Sequence, residues 1–213
     1  MEIVWYGQSC FRIRTRGVAV VTDPYGPELG PTLPRLRAHI VTVSHQHADH
    51  NYLRAVRSGA YVIKGPGEYE IRNTFVFGVA TTHNTPRNKD LGPNTAYLVE
   101  MDDMAICHLG DLGQPLTQEQ VEELDAVDIL LVPVGGRDTL TPSGAAEVIS
   151  QLEPSVVIPM HYKVPGIQAN LGSLTRFLKE MGVSNPKPVE SLSISKTQLG
   201  DDPRVVVLKP SIS

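Results

Sequence analysis

The chain has too few cysteines for a disulfide framework. Only Cys10 and Cys107 occur in 213 residues, in separate segments, which predicts free thiols and suits a reducing compartment. Long apolar runs are missing as well: nothing approaches the roughly eighteen consecutive apolar residues a membrane span requires. The first residues, Met1-Glu2-Ile3-Val4-Trp5-Tyr6, enter directly into an apolar alternation, without the basic region, apolar stretch and small-residue cleavage site of an export signal. These absences predict a cytoplasmic protein with no membrane segment. Positive charge is not in excess, since 19 Lys and Arg stand against 23 Asp and Glu for a net charge of −4. With the basic residues scattered, there is no overall field to attract a phosphate backbone, so nucleic acid is not an expected partner.

What is present is an ordinary globular composition, 41% hydrophobic and 20% charged, with glycine and proline spread along the chain as short connections would require. Strand patterns run over 3–6, 10–14 and 18–22, followed by an irregular loop over 25–34. His39-Ile40-Val41-Thr42-Val43 is a β-branched run of the kind found in buried strands. A short helix is expected over 51–57, and strands over 60–63 and 74–82. Segments 95–100 and 104–108 read as a hairpin turning at Asp102-Asp103.

Helices and strands then alternate. Thr117 and Gln120 have capping-box spacing for a helix to Leu124, and 128–133 is a buried strand. Pro142 opens a helix with Ala145, Val148, Ile149 and Leu152 on one face, and 156–159 is the next strand. Leu174, Phe177, Leu178 and Met181 line another helix, stopped by Gly182, and 204–208 is the last strand. Strands interleaved with a few helices, and no break in composition, predict a single α/β domain over 1–213 built in layers.

The chemistry concentrates just after the buried strand. Ser44-His45-Gln46-His47-Ala48-Asp49-His50 places His45, His47, Asp49 and His50 within six residues. An irregular loop at a strand end can turn such side chains into one cavity, and imidazole with carboxylate suits zinc and similar divalent ions. Further motifs follow in order: Trp5-Tyr6-Gly7-Gln8-Ser9-Cys10-Phe11, Val21-Thr22-Asp23-Pro24, Thr81-Thr82-His83, His108-Leu109-Gly110-Asp111 and Ile158-Pro159-Met160-His161-Tyr162.

With this set of motifs the chain resembles the metallo-β-lactamase superfamily along almost its whole length. Within it, the chain is similar to the small metal-dependent hydrolases that include the ascorbate-6-phosphate lactonase-like proteins. The resemblance implies a four-layer αββα sandwich. It also implies two divalent metal ions, zinc first and manganese, nickel or iron as alternatives. His45, His47 and His83 would hold one ion, Asp49, His50 and His161 the other, and Asp111 would bridge them. The residues agree with this placement, because His83, Asp111 and His161 each follow an apolar strand-like run and so fall at strand ends.

Asp23 is expected to orient the histidine loop through hydrogen bonds. His39 and His108 have no motif partner and read as structural. Some superfamily members carry a cysteine in the second site. Here Asp111 takes that position, which leaves Cys107 as a small buried residue and weighs against β-lactam hydrolysis. The length also leaves no room for the added domains of the larger nuclease and flavin-linked relatives.

The expected activity is hydrolysis of an ester, lactone, amide or phosphodiester bond in a small-molecule substrate. A metal-bridging hydroxide would attack, and Asp49 would orient it and accept its proton. Tyr162 and Lys163 neighbour His161 and could meet a substrate anion, although such loop residues are more often structural. Two other readings stay open: a non-catalytic metal-binding scaffold or sensor, and redox chemistry on a di-iron centre. Relatives of this branch often form homo-oligomers, and such an assembly is possible here.

Overall fold

A computed structural model describes residues 1–200 and 202–212. The strands, in chain order, are β1 (Glu2–Trp5), β2 (Phe11–Arg14), β3 (Ala19–Thr22), β4 (Ile40–Val43), β5 (Tyr61–Lys64), β6 (Gly67–Ile71) and β7 (Thr74–Thr82). They continue with β8 (Pro93–Met101), β9 (Met104–His108), β10 (Ile129–Pro133), β11 (Val156–Met160), β12 (Leu192–Ser193) and β13 (Arg204–Val205). The helices are α1 (Gln118–Glu123), α2 (Pro142–Leu152) and α3 (Leu174–Glu180).

Two mixed sheets stack face to face. The first runs β12-β1-β2-β3-β4-β5 and the second β13-β11-β10-β9-β8-β7-β6. Within them β3, β4 and β5 are parallel, as are β9, β10, β11 and β13. Side chains alternate across a strand, and the first sheet follows that rule. Ile3, Trp5, Phe11, Ile13, Val20, Ile40 and Ile63 join the main core together with Tyr97, Val99, Ile106, Leu131 and Ile158 of the second sheet. Val21, Val41 and Val43 face the other way into a separate cluster with Leu29, Leu33, Leu36, Ala55 and Val56. Strands β9, β10 and β11 are buried at every residue, as strands covered on both faces must be.

The outer layers differ in substance. Helix α2 buries Ala145, Val148 and Ile149 over the second sheet, and α3 adds Phe177. Over the first sheet the helical layer is reduced to two single 3-10 turns, Pro27–Leu29 and Leu53–Ala55, with their connecting loops. The αββα order is therefore kept, with one thin outer layer.

The helix expected over 51–57 is corrected to the second of these turns. The Tyr52 amide donates to the Pro24 carbonyl at 2.7 Å, and the Leu36 and Arg57 amides pair with the Ala55 and Leu36 carbonyls at 2.9 Å each. A parallel bridge between Leu36 and Val56 thus pulls the segment into extended backbone, and tertiary pairing outweighs local helical preference. The last strand is also shorter than expected, ending at Val205, with Leu208 bridging to Val189 instead.

Two strands were not anticipated. β6 is masked by flanking glycines and by Glu68 and Glu70 on an edge, and β12 is only two residues long. The capping box at Thr117 and Gln120 is formed in both directions, and Gly182 follows α3 with φ of 66°. Among the described residues, no helix is long and apolar enough to cross a membrane.

Candidate metal centre

One end of the sandwich gathers the histidine and aspartate side chains. His45, His47, Asp49 and His50 lie in the loop after β4, while His83 follows β7, Asp111 follows β9 by a short turn and His161 follows β11. The two sheets are tied together at this end. Thr95 donates its amide to the Ser44 carbonyl at 2.9 Å, and the buried Tyr97 hydroxyl donates to the Val43 carbonyl at 2.9 Å. Carboxyl ends of parallel strands are where such sheets place their ligands.

Asp111 is the centre of the arrangement. Its Oδ2 lies 3.2 Å from His50 Nε2, 3.3 Å from His161 Nε2, 3.6 Å from His83 Nε2 and 3.9 Å from His45 Nε2. His50 Nε2 is also 3.4 Å from Asp49 Oδ2. His47, the exposed member, sits against His45 and His83 with ring centroids 4.6 and 5.1 Å away. Two triads result, His45-His47-His83 and Asp49-His50-His161, each with candidate ligand atoms within 4.8 Å of one another. All seven residues singled out in the sequence therefore meet in one cluster.

The backbone supports this convergence. Asp111 donates its amide to Asn94 Oδ1 at 3.0 Å, and Asn94 Nδ2 donates to the Leu109 carbonyl at 2.9 Å and to Thr81 Oγ1 at 2.7 Å. Gly110 turns the chain with φ of 57°, and a Cβ there would strike Asn94 and Ser44, so only glycine brings Asp111 in. Gly113 likewise lies against the His83 and Asn84 carbonyls with no space for a side chain. His161 itself adopts φ of 52°, a conformation that is unfavourable for a residue with a Cβ. Its amide donates to the Gln8 carbonyl at 3.1 Å.

Asp23 fixes two of the imidazoles. Its Oδ2 accepts from His50 Nδ1 at 2.8 Å and from the Ser44 hydroxyl at 2.5 Å, and its Oδ1 accepts from the Ser44 amide at 2.7 Å. The Ser44 oxygen is then free to accept from His45 Nδ1, 2.9 Å away. Read as a chain of donors, these bonds place a proton on Nδ1 of both rings and turn both Nε2 atoms toward the cluster. Asp23, His45 and His50 also fall close enough to count as a third possible triad. Because the Asp23 oxygens are already engaged by three donors, we assign it the orienting role expected from the sequence.

The charges are interdependent. Burial alone would raise the Asp111 carboxyl, but His161 and His50 outweigh it and hold it well below the usual carboxylate range. Burial opposes the charge on His50, yet Asp111, Asp23 and Asp49 together raise its pKa well above the ordinary imidazole value. His45 is driven down to about 3, by burial first and then by His50. His83 and His161 are lowered by burial.

Several of the atoms facing the cluster are buried without any hydrogen-bond partner: Nε2 of His45, His50 and His83, and Oδ1 of Asp111. Native interiors rarely leave such groups unsatisfied, because each costs about 1–3 kcal/mol. Imidazole nitrogens and carboxylate oxygens converging at this spacing form a donor set suited to divalent first-row metals, so the residues fit the group.

Residues 2–161 match the model of the beta-lactamase superfamily domain. The chain belongs to the beta-lactamase superfamily. Superfamily relatives match it nearly end to end. A UPF0173 protein of Pyrococcus abyssi is 29% identical, with 91% of this chain and 100% of that protein covered. A UPF0173 metal-dependent hydrolase of Carboxydothermus hydrogenoformans is also 29% identical, over 86% of this chain and 95% of its own. A superfamily structure from Thermotoga maritima, described as a candidate Zn-dependent hydrolase, is 36% identical, covers 97% of both chains and superposes with a TM-score of 0.80.

Residues beyond the seven candidate ligands complete the site. Gln8, in the turn between β1 and β2, donates from Nε2 to Asp49 Oδ2 at 2.9 Å. Together with Ser44 and Asn94, it has a role that residue type alone did not disclose. Gln8 and Ser44 lay inside quoted motifs, whereas Asn94 carried no signal. His108 is structural, as expected: its Nε2 is 2.9 Å from the Ser9 carbonyl, and Nδ1 accepts from the Gly110 amide at 3.3 Å. His39 Nδ1 accepts from the Ala19 amide at 3.0 Å. Tyr162 is buried, its ring 5.1 Å from the Trp5 ring, as a structural residue would be. Cys10 and Cys107 are both free and buried.

Proposed function

We propose that the chain is a metal-dependent hydrolase that cleaves an ester, lactone, amide or phosphodiester bond of a small molecule. The observation that carries this reading is Asp111 Oδ2, which lies 3.2–3.9 Å from the Nε2 atoms of His50, His161, His83 and His45. One carboxylate shared between two imidazole groups suits a pair of cations. We assign His45, His47 and His83 to one ion, Asp49, His50 and His161 to the other, and Asp111 to both, with zinc as the simplest occupant of this mixed donor set. When bound, two such ions supply Lewis acidity that lowers the pKa of a shared water toward about 7 and polarises the scissile carbonyl or phosphoryl group.

The protein's own groups do the rest. Asp49 is half-buried at the rim, and the Gln8 amide holds its Oδ2 at 2.9 Å. It is positioned to orient the attacking solvent and accept its proton. Asp23 and Ser44 keep the His45 and His50 rings in the tautomer that coordinates. Next to His161, Tyr162 is buried against Trp5, whose ring also stacks near Phe11.

The test is metal analysis combined with a panel of esters, lactones, amides and phosphodiesters. We expect about two equivalents of divalent metal and turnover of at least one class, abolished in His47→Ala. A protein that bound the metals but turned over nothing on the panel would return it to a scaffold or sensor role. Uptake of no metal would sink the reading outright.

A further inference from the structure

A cavity of about 340 Å³ opens directly on the cluster, with His45 and His47 in its wall. Its size is within the range of small-molecule sites. Pro66, Leu91 and Pro93 make one side of it apolar, and Lys64 is the single charged side chain in its lining. None of the lining residues is acidic. Among the described residues, no carboxylate lies within ion-pair distance of Lys64.

The position of Lys64 follows from sheet register. It is the last residue of β5 and pairs with Val43, the last residue of β4, in a parallel ladder. The chain of β4 continues from there into Ser44 and His45, so Lys64 stands beside the start of the histidine loop and lines the cavity with it. The facing wall is the 83–92 loop, closed by hydrogen bonds from the Gly92 amide to Asn84 Oδ1 at 2.8 Å and from the His83 amide to the Gly92 carbonyl at 3.0 Å. That loop holds Leu91 in place. The cavity therefore has His45 and His47 at one end, an apolar wall and one lysine with no carboxylate partner among the described residues.

We propose that Lys64 is a substrate-recognition residue, and that the substrate is a small molecule with an anionic group, carboxylate or phosphate, set apart from the scissile bond by an apolar portion. The inference rests on the hydrolase reading for the identity of the bond, but the anion subsite stands on the cavity and on Lys64. A lysine binds such a group as a point charge, and an anion there is held outside the cage, leaving Asp49 and Asp111 to the reacting end.

The experiment compares benzoate and phenyl phosphate with uncharged benzamide, on metal-loaded wild type, Lys64→Met and Lys64→Arg. Binding is followed by amide shifts of Gly65 and Thr95, and the metal content of each sample is measured separately. Wild type is expected to bind one or both anions at least about tenfold more tightly than benzamide. Lys64→Met should narrow that preference to within about threefold, and Lys64→Arg should keep most of it. Which anion shows the larger effect distinguishes a carboxylate substrate from a phosphate one.

A preference that survives intact in Lys64→Met, or that wild type never shows, overturns the proposal. The two readings fail separately. A protein with no metal but a Lys64-dependent anion preference keeps the subsite and loses the hydrolase. Full metal content with no Lys64 dependence does the reverse.

Discussion

The two sides of the cage are built differently. From the first sheet, His45 and His50 have their Nδ1 atoms tied to Ser44 and Asp23, so both rings are fixed in angle and tautomer. From the second sheet, His83 and His161 have Nδ1 atoms that are buried without a partner, and their positions come from backbone geometry alone. One half is anchored by a buried carboxylate. The other is delivered by strand ends and tight glycine turns. The contrast teaches that orientation of the donor set is concentrated in Asp23, while the spacing between the halves depends on how the sheets stack.

That contrast can be broken most severely at Asp111, whose carboxylate faces histidines from both sheets. Asp111→Ala is expected to lower metal content from about two equivalents to one or none and to reduce turnover by at least about 10³-fold, more than partners outside the ligand set usually cost. Metal analysis and steady-state kinetics read this directly. A variant that kept both ions and activity within tenfold would show that the shared carboxylate is not a ligand.

Asp23→Asn is the next largest. The amide keeps the shape, but its nitrogen can accept from neither the Ser44 hydroxyl nor His50 Nδ1. The proton of His50 is then driven to Nε2, where it blocks coordination. Metal affinity should fall about 10–100-fold, and because His45 and His50 lie in different triads, both ions should weaken. Competition with a coloured chelator measures the two affinities. Weakening of one ion alone would confine the influence of Asp23 to one triad.

The smallest effect concerns protons. His50 is raised above the ordinary imidazole range by Asp111, Asp23 and Asp49 acting against burial, so without metal it carries a proton at neutral pH. His45, lowered to about 3, does not. Coordination needs the neutral ring. Metal uptake should therefore release about one proton, and apparent affinity should rise up to about tenfold per pH unit until the raised pKa of His50 is passed, then level off. Calorimetry in buffers of differing ionisation enthalpy gives the proton count. A count of zero at neutral pH would contradict the charge assigned to His50.

Much of the fold was legible because local chemistry and tertiary need coincide. β7 and β9 match their apolar segments end to end, and α1 begins at the capping box that its sequence shows. The 51–57 segment was misread because a long-range bridge from Leu36 to Val56 competes with local propensity and wins. β6 escaped notice because edge strands tolerate charge and glycine, which removes the apolar alternation that marks a buried one.

By itself, the sequence determined which atoms are available for chemistry. The spacing of His45, His47, Asp49 and His50 puts four donors on one short loop, and no other segment of the chain is as dense in such groups. Only the tertiary structure decided that His83, Asp111 and His161, 33, 61 and 111 residues beyond His50 by numbering, close the cage. Only it, too, gave Gln8, Ser44, Asn94 and Lys64 their places. The reason is that residue type fixes what a side chain can bind, whereas which side chains face one another is set by sheet register and by the stacking of two sheets on a shared core.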